Sequence, residues 1–316
     1  MQGLIVSAHG KRFGVETDSR EKYTCVIRGK KAGVACNDTV EFTVIGPGEG
    51  VIEQIVPRRN LLYRSDEMRS KLVAANIDQA IIVTAAVPAP RPELVDRCLI
   101  AAAAAGIPAI LVVNKADLIE TATYANSLAY YRDMGYPFLT LSAQGDLTAL
   151  RAALHGKTSV LVGASGVGKS TLLNALIPDA RAKTGDISTA LDAGRHTTTH
   201  ANSHTLPCSS EDTVPTLPAV AAPGGGATPT LGRPSGGRLI DSPGMQSFGL
   251  AHLDVNHLSE YFPDFAPLID GCRFYNCRHL QEPGCAVTAA VAEGHIAKRR
   301  WQCYRDLYDA LKSTAP

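Results

Sequence analysis

The run Gly163-Ala164-Ser165-Gly166-Val167-Gly168-Lys169-Ser170-Thr171 constrains this chain more than any other feature. It fits G-x-x-x-x-G-K-[ST] and lies between an apolar stretch, 158–162, and a helical pattern, 171–176. Glycines at these positions let successive backbone N–H groups turn inward around phosphate oxygens. Lys169 supplies a point charge for the β and γ phosphates, and the Ser170 hydroxyl is a Mg²⁺ ligand. The helix that begins near Lys169 adds its positive end. A chance glycine-rich turn would lack this strand–loop–helix setting, which belongs to a parallel sheet.

The surrounding pattern agrees with such a sheet. Apolar strands are expected at 80–87, 107–113 and 137–141, separated by helical stretches at 92–105, 121–134 and 146–154. Pro92 stands at the start of the first helix and Gly106 just past its end. Alternating units of this kind give an α/β fold, with helices on both faces of the sheet. The first sixty residues differ. Short alternating runs at 3–7, 13–17, 23–28, 39–45 and 51–56, separated by turn residues, predict a small closed β-barrel. An OB-fold fits this strand count, and so does an SH3-like barrel. The segment 203–237 is rich in Pro, Gly, Ala, Ser and Thr and poor in large apolar residues, so a disordered insertion is expected there. A packed long loop is the alternative. The division expected is a barrel at 1–63, a nucleotide-binding domain at 64–247 and a helical, cysteine-containing domain at 248–316.

A phosphate loop does not choose its base; Asn114-Lys115-Ala116-Asp117 does. It follows the 107–113 strand, at the sheet edge where ligands bind in open α/β folds. The Asp117 carboxylate can accept hydrogen bonds from N1 and N2 of guanine, a donor pair that adenine lacks. That disfavours a P-loop ATPase. Lys115 packs its stem on the base, Asn114 ties neighbouring loops, and Ser142 and Ala143 of Leu141-Ser142-Ala143 fit a further guanine contact. The order is unusual, because these motifs precede the phosphate loop. Asp241-Ser242-Pro243-Gly244, which matches the Mg²⁺-sensing D-x-x-G element, comes last. The sequence therefore reads as a circularly permuted GTP-binding domain.

Cys272, Cys277, His279 and Cys285 lie within fourteen residues. Three thiolates and an imidazole suit tetrahedral Zn²⁺ with no open position, hence a structural site. His295 is a more distant substitute ligand. Cys25, Cys36, Cys98, Cys208 and Cys303 have no ligand spacing and read as ordinary small residues. No apolar run is long enough for a membrane, and residues 1–10 lack the pattern of a signal peptide, so a cytoplasmic chain with reduced thiols is expected. The net charge of +1 predicts no nucleic-acid partner by itself. Local clusters could still meet RNA phosphates: Lys11-Arg12, 28–31, Arg58, Arg59, Arg64 and Lys298-Arg299-Arg300-Trp301. Solvated faces are the plainer reading of each.

With these motifs in their permuted order, together with Gly194-Arg195-His196-Thr197-Thr198-Thr199-His200 and the cysteine cluster, the chain resembles the RsgA (YjeQ-type) family of ribosome small-subunit-dependent GTPases. The resemblance covers nearly the whole chain. It implies an N-terminal OB-fold, a permuted GTPase domain and a C-terminal zinc domain. It also implies binding to the small ribosomal subunit and its rRNA, a role in late maturation of that subunit, and GTP hydrolysis to GDP that the subunit stimulates. Thr198 is the expected switch ligand to Mg²⁺. The position after the D-x-x-G glycine, where many GTPases carry a water-orienting glutamine, is Met245; Gln246 is one residue off. His196 is assigned the water-positioning role that its place in the family motif suggests, a ribosome-contacting or surface histidine being the alternative. A monomer is expected. A GTP-gated RNA-binding scaffold with incidental turnover is the second functional reading. The length of 203–237 departs from the family.

Overall fold

The structure, a computed structural model, describes residues 1–29, 33–65, 70–177, 201–207, 235–242 and 248–314. Five strands form the N-terminal barrel: β1 (Gln2–His9), β2 (Arg12–Glu16), β3 (Lys22–Ile27), β4 (Thr39–Gly46) and β5 (Glu49–Ile55). Their order is β1-β2-β3-β5-β4, and β4 pairs back onto β1 to close the ring. All contacts are antiparallel except β3 with β5. The alternating residues Val40 and Phe42 on β4 point inward with Ile5, Val15, Cys25 and Ile52 to fill it.

The hairpin β6 (Leu61–Ser65) and β7 (Ser70–Ala75) follows. It is absent from the sequence reading, because the basic connector before it masks its short apolar pattern. The nucleotide-binding unit is then laid down as β8 (Gln79–Ala85), α1 (Pro92–Ala104), β9 (Ala109–Asn114), α2 (Glu120–Ser127), α3 (Ala129–Asp133), β10 (Phe138–Thr140), α4 (Thr148–Leu154), β11 (Thr158–Gly163), α5 (Lys169–Leu176), β12 (Asn202–Thr205) and β13 (Arg238–Asp241). Strands β10-β9-β8-β11-β13 are parallel, and β12 joins β13 antiparallel. β8, β9 and β11 are buried along their whole length, as strands covered on both faces must be.

Two expectations need correction. The helix expected over 121–134 divides into α2 and α3 at Leu128, whose φ of −101° and ψ of 7° leave helical geometry while its side chain is buried. The proposed insertion starts too early. Ser203, His204 and Thr205 belong to β12, which pairs with β13 and, through Asn202 and Ser7, with β1 of the barrel. Backbone bonds to neighbours on both sides hold this polar strand, so its composition is a poor guide. The interior of the segment, 208–234, lies outside the described residues.

Polar contacts seal barrel to sheet. Arg58 forms a two-pronged pair with Asp38 at 2.7 Å on each oxygen, and Arg59 meets Asp78 at 2.6 Å. Asp38 is wholly buried, and a buried carboxylate needs such a partner. Arg238 on β13 reaches Glu16 on β2 at 2.6 Å. Arg58 and Arg59 thus turn toward carboxylates of the fold, in place of the solvated or RNA-facing surfaces expected of them.

The C-terminal region contains two 3₁₀ segments, Val255–Tyr261 and Ile269–Gly271, and helices α6 (Ala286–Ala292) and α7 (Lys298–Thr314). Phe262, Phe265 and Tyr304 pack ring to ring and share one core with α1. Arg300, fully buried, pairs with Asp96 of α1 and with Asp264. Arg299 also reaches Asp96, and the Trp301 indole N–H donates to the His279 carbonyl. Of the basic run 298–301, Lys298 alone stays exposed. Sequence alone gives this run as a solvated or RNA-facing surface, because it does not reveal a carboxylate 204 positions away.

Candidate nucleotide site and metal centre

β9 and β11 are neighbours of β8 on opposite sides, so their C-terminal ends open on the same edge of the sheet. Asn114 is the last residue of β9 and is buried. Its side-chain Nδ2 donates to the Val167 carbonyl at 2.9 Å, and its Oδ1 accepts from the Ala143 N–H at 3.0 Å. One amide therefore ties the base motif to the phosphate loop and to the Ser142–Ala143 turn. Ala116 and Asp117 stand exposed beyond it. A hydrogen bond from the Ser142 hydroxyl holds the Asp117 carboxyl below its usual range, helped by the nearby Lys115. The Lys115 ammonium donates to the Val87 carbonyl at 2.8 Å.

The phosphate loop runs from Gly163 through Ala164, Ser165, Gly166, Val167 and Gly168 into α5, with Val167 buried and Ser165, Gly166, Ser170 and Thr171 exposed. Gly168 has φ +96°, and a Cβ there would lie 2.3 Å from the Asn114 amide nitrogen. Gly163 has φ +152° and a Cβ there would meet the Val83 carbonyl oxygen at 2.2 Å. Both glycines are demanded by close approach as well as by backbone sign. The Lys169 ammonium folds back into the loop and donates to the carbonyls of Gly163 and Ala164, at 2.9 and 2.7 Å. Burial lowers its pKa, opposed by the charge of Asp241. Asp241 ends β13 beside it; burial pushes that carboxyl up to about 6, with Lys169 pulling the other way. A half-buried carboxylate of this kind, at the end of β13, suits a hard cation. A cavity of about 180 Å³ adjoins the loop, lined by Val83, Pro88, Val95, Cys98 and Ser165 among others. His196, Thr198, Gly244, Met245 and Gln246 lie outside the described residues.

The four expected metal ligands converge. Cys272 Sγ and Cys285 Sγ each lie 3.5 Å from His279 Nδ1, the two sulfurs are 4.0 Å apart, and all four ligand atoms, with Cys277, fall within 4.8 Å of one another. A tetrahedron with metal–sulfur bonds of about 2.3 Å has edges of about 3.8 Å. The thiols are free, so disulfides are not the explanation. The cluster is compatible with one zinc ion. Sequence reasoning missed its supports. The Glu282 carboxylate accepts from the N–H groups of Arg278, Leu280 and Gln281, which shape the ligand loop. Burial alone would raise that carboxyl, but these donors outweigh it and lower the pKa. Cys285 also caps α6 by accepting from the Thr288 N–H.

Fold and site together define a P-loop nucleotide-binding domain whose base-recognition loop precedes its phosphate loop in the chain. Residues 55–213 match the model of the family described as RsgA GTPase. A small ribosomal subunit biogenesis GTPase RsgA from Nitrosospira multiformis is 44% identical over 314 residues, covering 99% of this chain and 92% of the relative. The protein of that name from Nitrosomonas europaea is 42% identical over 320 residues, covering 100% and 93%. Among solved structures, YjeQ from Thermotoga maritima superposes with a TM-score of 0.70 at 28% identity, covering 98% of each chain. YloQ, described as a circularly permuted GTPase, gives 0.66 at 28% identity, covering 100% of this chain and 96% of that one. The chain belongs to the RsgA GTPase family and is a GTP hydrolase with the circularly permuted GTPase fold, an N-terminal β-barrel and a C-terminal Cys₃His cluster. Use of Mg²⁺ follows from that family. Among the described residues no helix is long and apolar enough to cross a membrane.

Proposed function

We propose that the chain hydrolyses GTP to GDP under stimulation by the small ribosomal subunit and acts in late maturation of that subunit. The observation that carries this reading is the Asn114 amide, which joins the base loop to the phosphate loop and so brings both into one site. In it Asp117 recognises guanine, Lys115 and Ala116 border the base with Ser142 and Ala143, and the N–H groups of 163–171 surround the phosphates. The Lys169 ammonium exchanges its two loop carbonyls for phosphate oxygens when nucleotide enters. Ser170, Asp241 and Thr198 are the residues assigned to hold Mg²⁺, which when bound neutralises charge on the phosphates. Gly244 senses the γ-phosphate and His196 positions the water. These last three assignments rest on motif position and family resemblance. An His196→Ala variant with unchanged subunit-stimulated turnover and unchanged GTP binding rules out the water-positioning role.

The strand order β1-β2-β3-β5-β4 closed on β1 supports the OB-fold reading over an SH3-like barrel. The barrel (1–63) serves as an RNA-binding module, 64–247 as the GTPase domain, and 248–316 as a domain stapled by structural Zn²⁺ on Cys272, Cys277, His279 and Cys285. The chain acts as a cytoplasmic monomer. Its partners are GTP or GDP and the small subunit with its rRNA, which the relatives' names support. Sedimentation with purified small subunits tests the reading. Retention with a non-hydrolysable GTP analogue and release with GDP are expected; equal retention in both states, or none, refutes it.

A further inference from the structure

We infer that Thr121 is a positioning residue for guanine recognition, holding the turn that aims the Asp117 carboxylate. This rests on the guanine reading given above. Lys115 adopts the left-handed backbone, φ +64°, which a lysine seldom takes. Its carbonyl receives two donors: the Leu118 N–H at 3.0 Å and the Thr121 hydroxyl at 2.6 Å. The first closes a turn over 115–118 that has Asp117 at its third position. The second pins the same carbonyl to the first turn of α2.

The other end of the turn is held by the sheet. The Ala116 N–H donates to the Leu141 carbonyl at 3.0 Å, and Asn114 is locked as described. Thr121 is 1% exposed, so its hydroxyl has no solvent to turn to and its bond is fixed. Asp117, by contrast, is exposed, and besides the Ser142 hydroxyl it takes its direction from the turn that carries it. Removing the Thr121 hydroxyl leaves a left-handed lysine carbonyl with one donor and frees the turn to rotate. A valine keeps the shape and β-branching of threonine; a serine keeps the hydroxyl.

The test compares GDP with IDP on the full-length, zinc-loaded chain. Inosine lacks the 2-amino group that one carboxylate oxygen would accept from, while the phosphate end is common to both nucleotides. The ratio of the two affinities therefore reports the aim of Asp117, apart from stability or phosphate binding. Thr121→Val is expected to weaken GDP by about tenfold and IDP much less, since a hydrogen bond to a charged group is lost for one and already missing for the other. Thr121→Ser is expected to keep the wild-type ratio. A Thr121→Val chain with an unchanged ratio, even if both nucleotides weaken together, overturns the inference alone. A wild-type chain that binds the two equally overturns the guanine reading, and this inference with it.

Discussion

Asp96 and Arg300, 204 positions apart in sequence, form an ion pair of 3.0 Å with both side chains fully excluded from solvent. The pair sits where α1 meets α7, and Arg300 also binds Asp264 and lies over the Phe262 ring at 4.3 Å. Charges this deeply buried are tolerated only when each is paired and hydrogen-bonded. The contact fixes the C-terminal region against the helix that begins beside the phosphate loop.

Replacing Arg300 by methionine keeps much of the stem but leaves the Asp264 carboxylate without its cation and Asp96 with only Arg299 and the Tyr131 hydroxyl. A destabilisation of about 3–5 kcal/mol is expected. Urea unfolding followed by emission of Trp301, the one tryptophan of the chain, measures it. An unchanged midpoint together with weakened RNA binding would restore the view of 298–301 as an RNA surface.

Gly168→Ala places a methyl group 2.3 Å from the Asn114 amide at a backbone φ of +96°. The loop must move away from Asn114, breaking the bridge between base and phosphate subsites. A loss of about 100-fold or more in GDP affinity is expected, beyond the roughly 1–3 kcal/mol of backbone strain. Gly166→Ala is the milder control, because its new Cβ would meet only the edge of the Pro88 ring at 3.1 Å. Equal effects of the two would show that φ alone matters.

Cys277→Ser removes one of four converging ligands. Bound zinc, measured by metal analysis, should fall from about one per chain to near none, as expected for a closed tetrahedral site. The Trp301 emission should shift to the red, because its indole N–H rests on the His279 carbonyl. GDP binding should survive. Full zinc retention would contradict the ligand assignment.

Asp241 gives a pH signature in the chain free of metal and nucleotide. Its carboxyl is pushed up to about 6 by burial, so folding favours its protonated form. The stability this contributes is fully present below the ordinary carboxyl range and is lost as pH rises through about 6. Between about pH 5 and about pH 7.5 the wild type should lose about 1 kcal/mol more than Asp241→Asn in urea unfolding. Parallel curves for the two chains would contradict the buried, cation-ready carboxyl.

Much of this was legible in sequence because the informative residues are local. The strands around 163–171 and 114–117 announce themselves by unbroken apolar runs, and three thiols with an imidazole announce a metal. What sequence could not give is pairing at a distance. Arg58, Arg59 and Arg300 read as surface cations because their carboxylates, Asp38, Asp78 and Asp96, come from other elements. β12 was lost inside a stretch of small and polar residues, since its place is secured by backbone bonds to β1 and β13. Thr121 had no motif to mark it; its role appears only once the Lys115 carbonyl is seen to point at it.

The central claim is a GTPase that answers to the small ribosomal subunit, and steady-state turnover tests it most directly. Phosphate release is to be measured with GTP and with ATP, in the absence and presence of purified small subunits. Slow GTP turnover that rises strongly with subunits, and no comparable ATP turnover, is the predicted result. Nucleotide-dependent binding to subunits with no rise in GTP turnover would contradict it and leave a GTP-gated scaffold in its place.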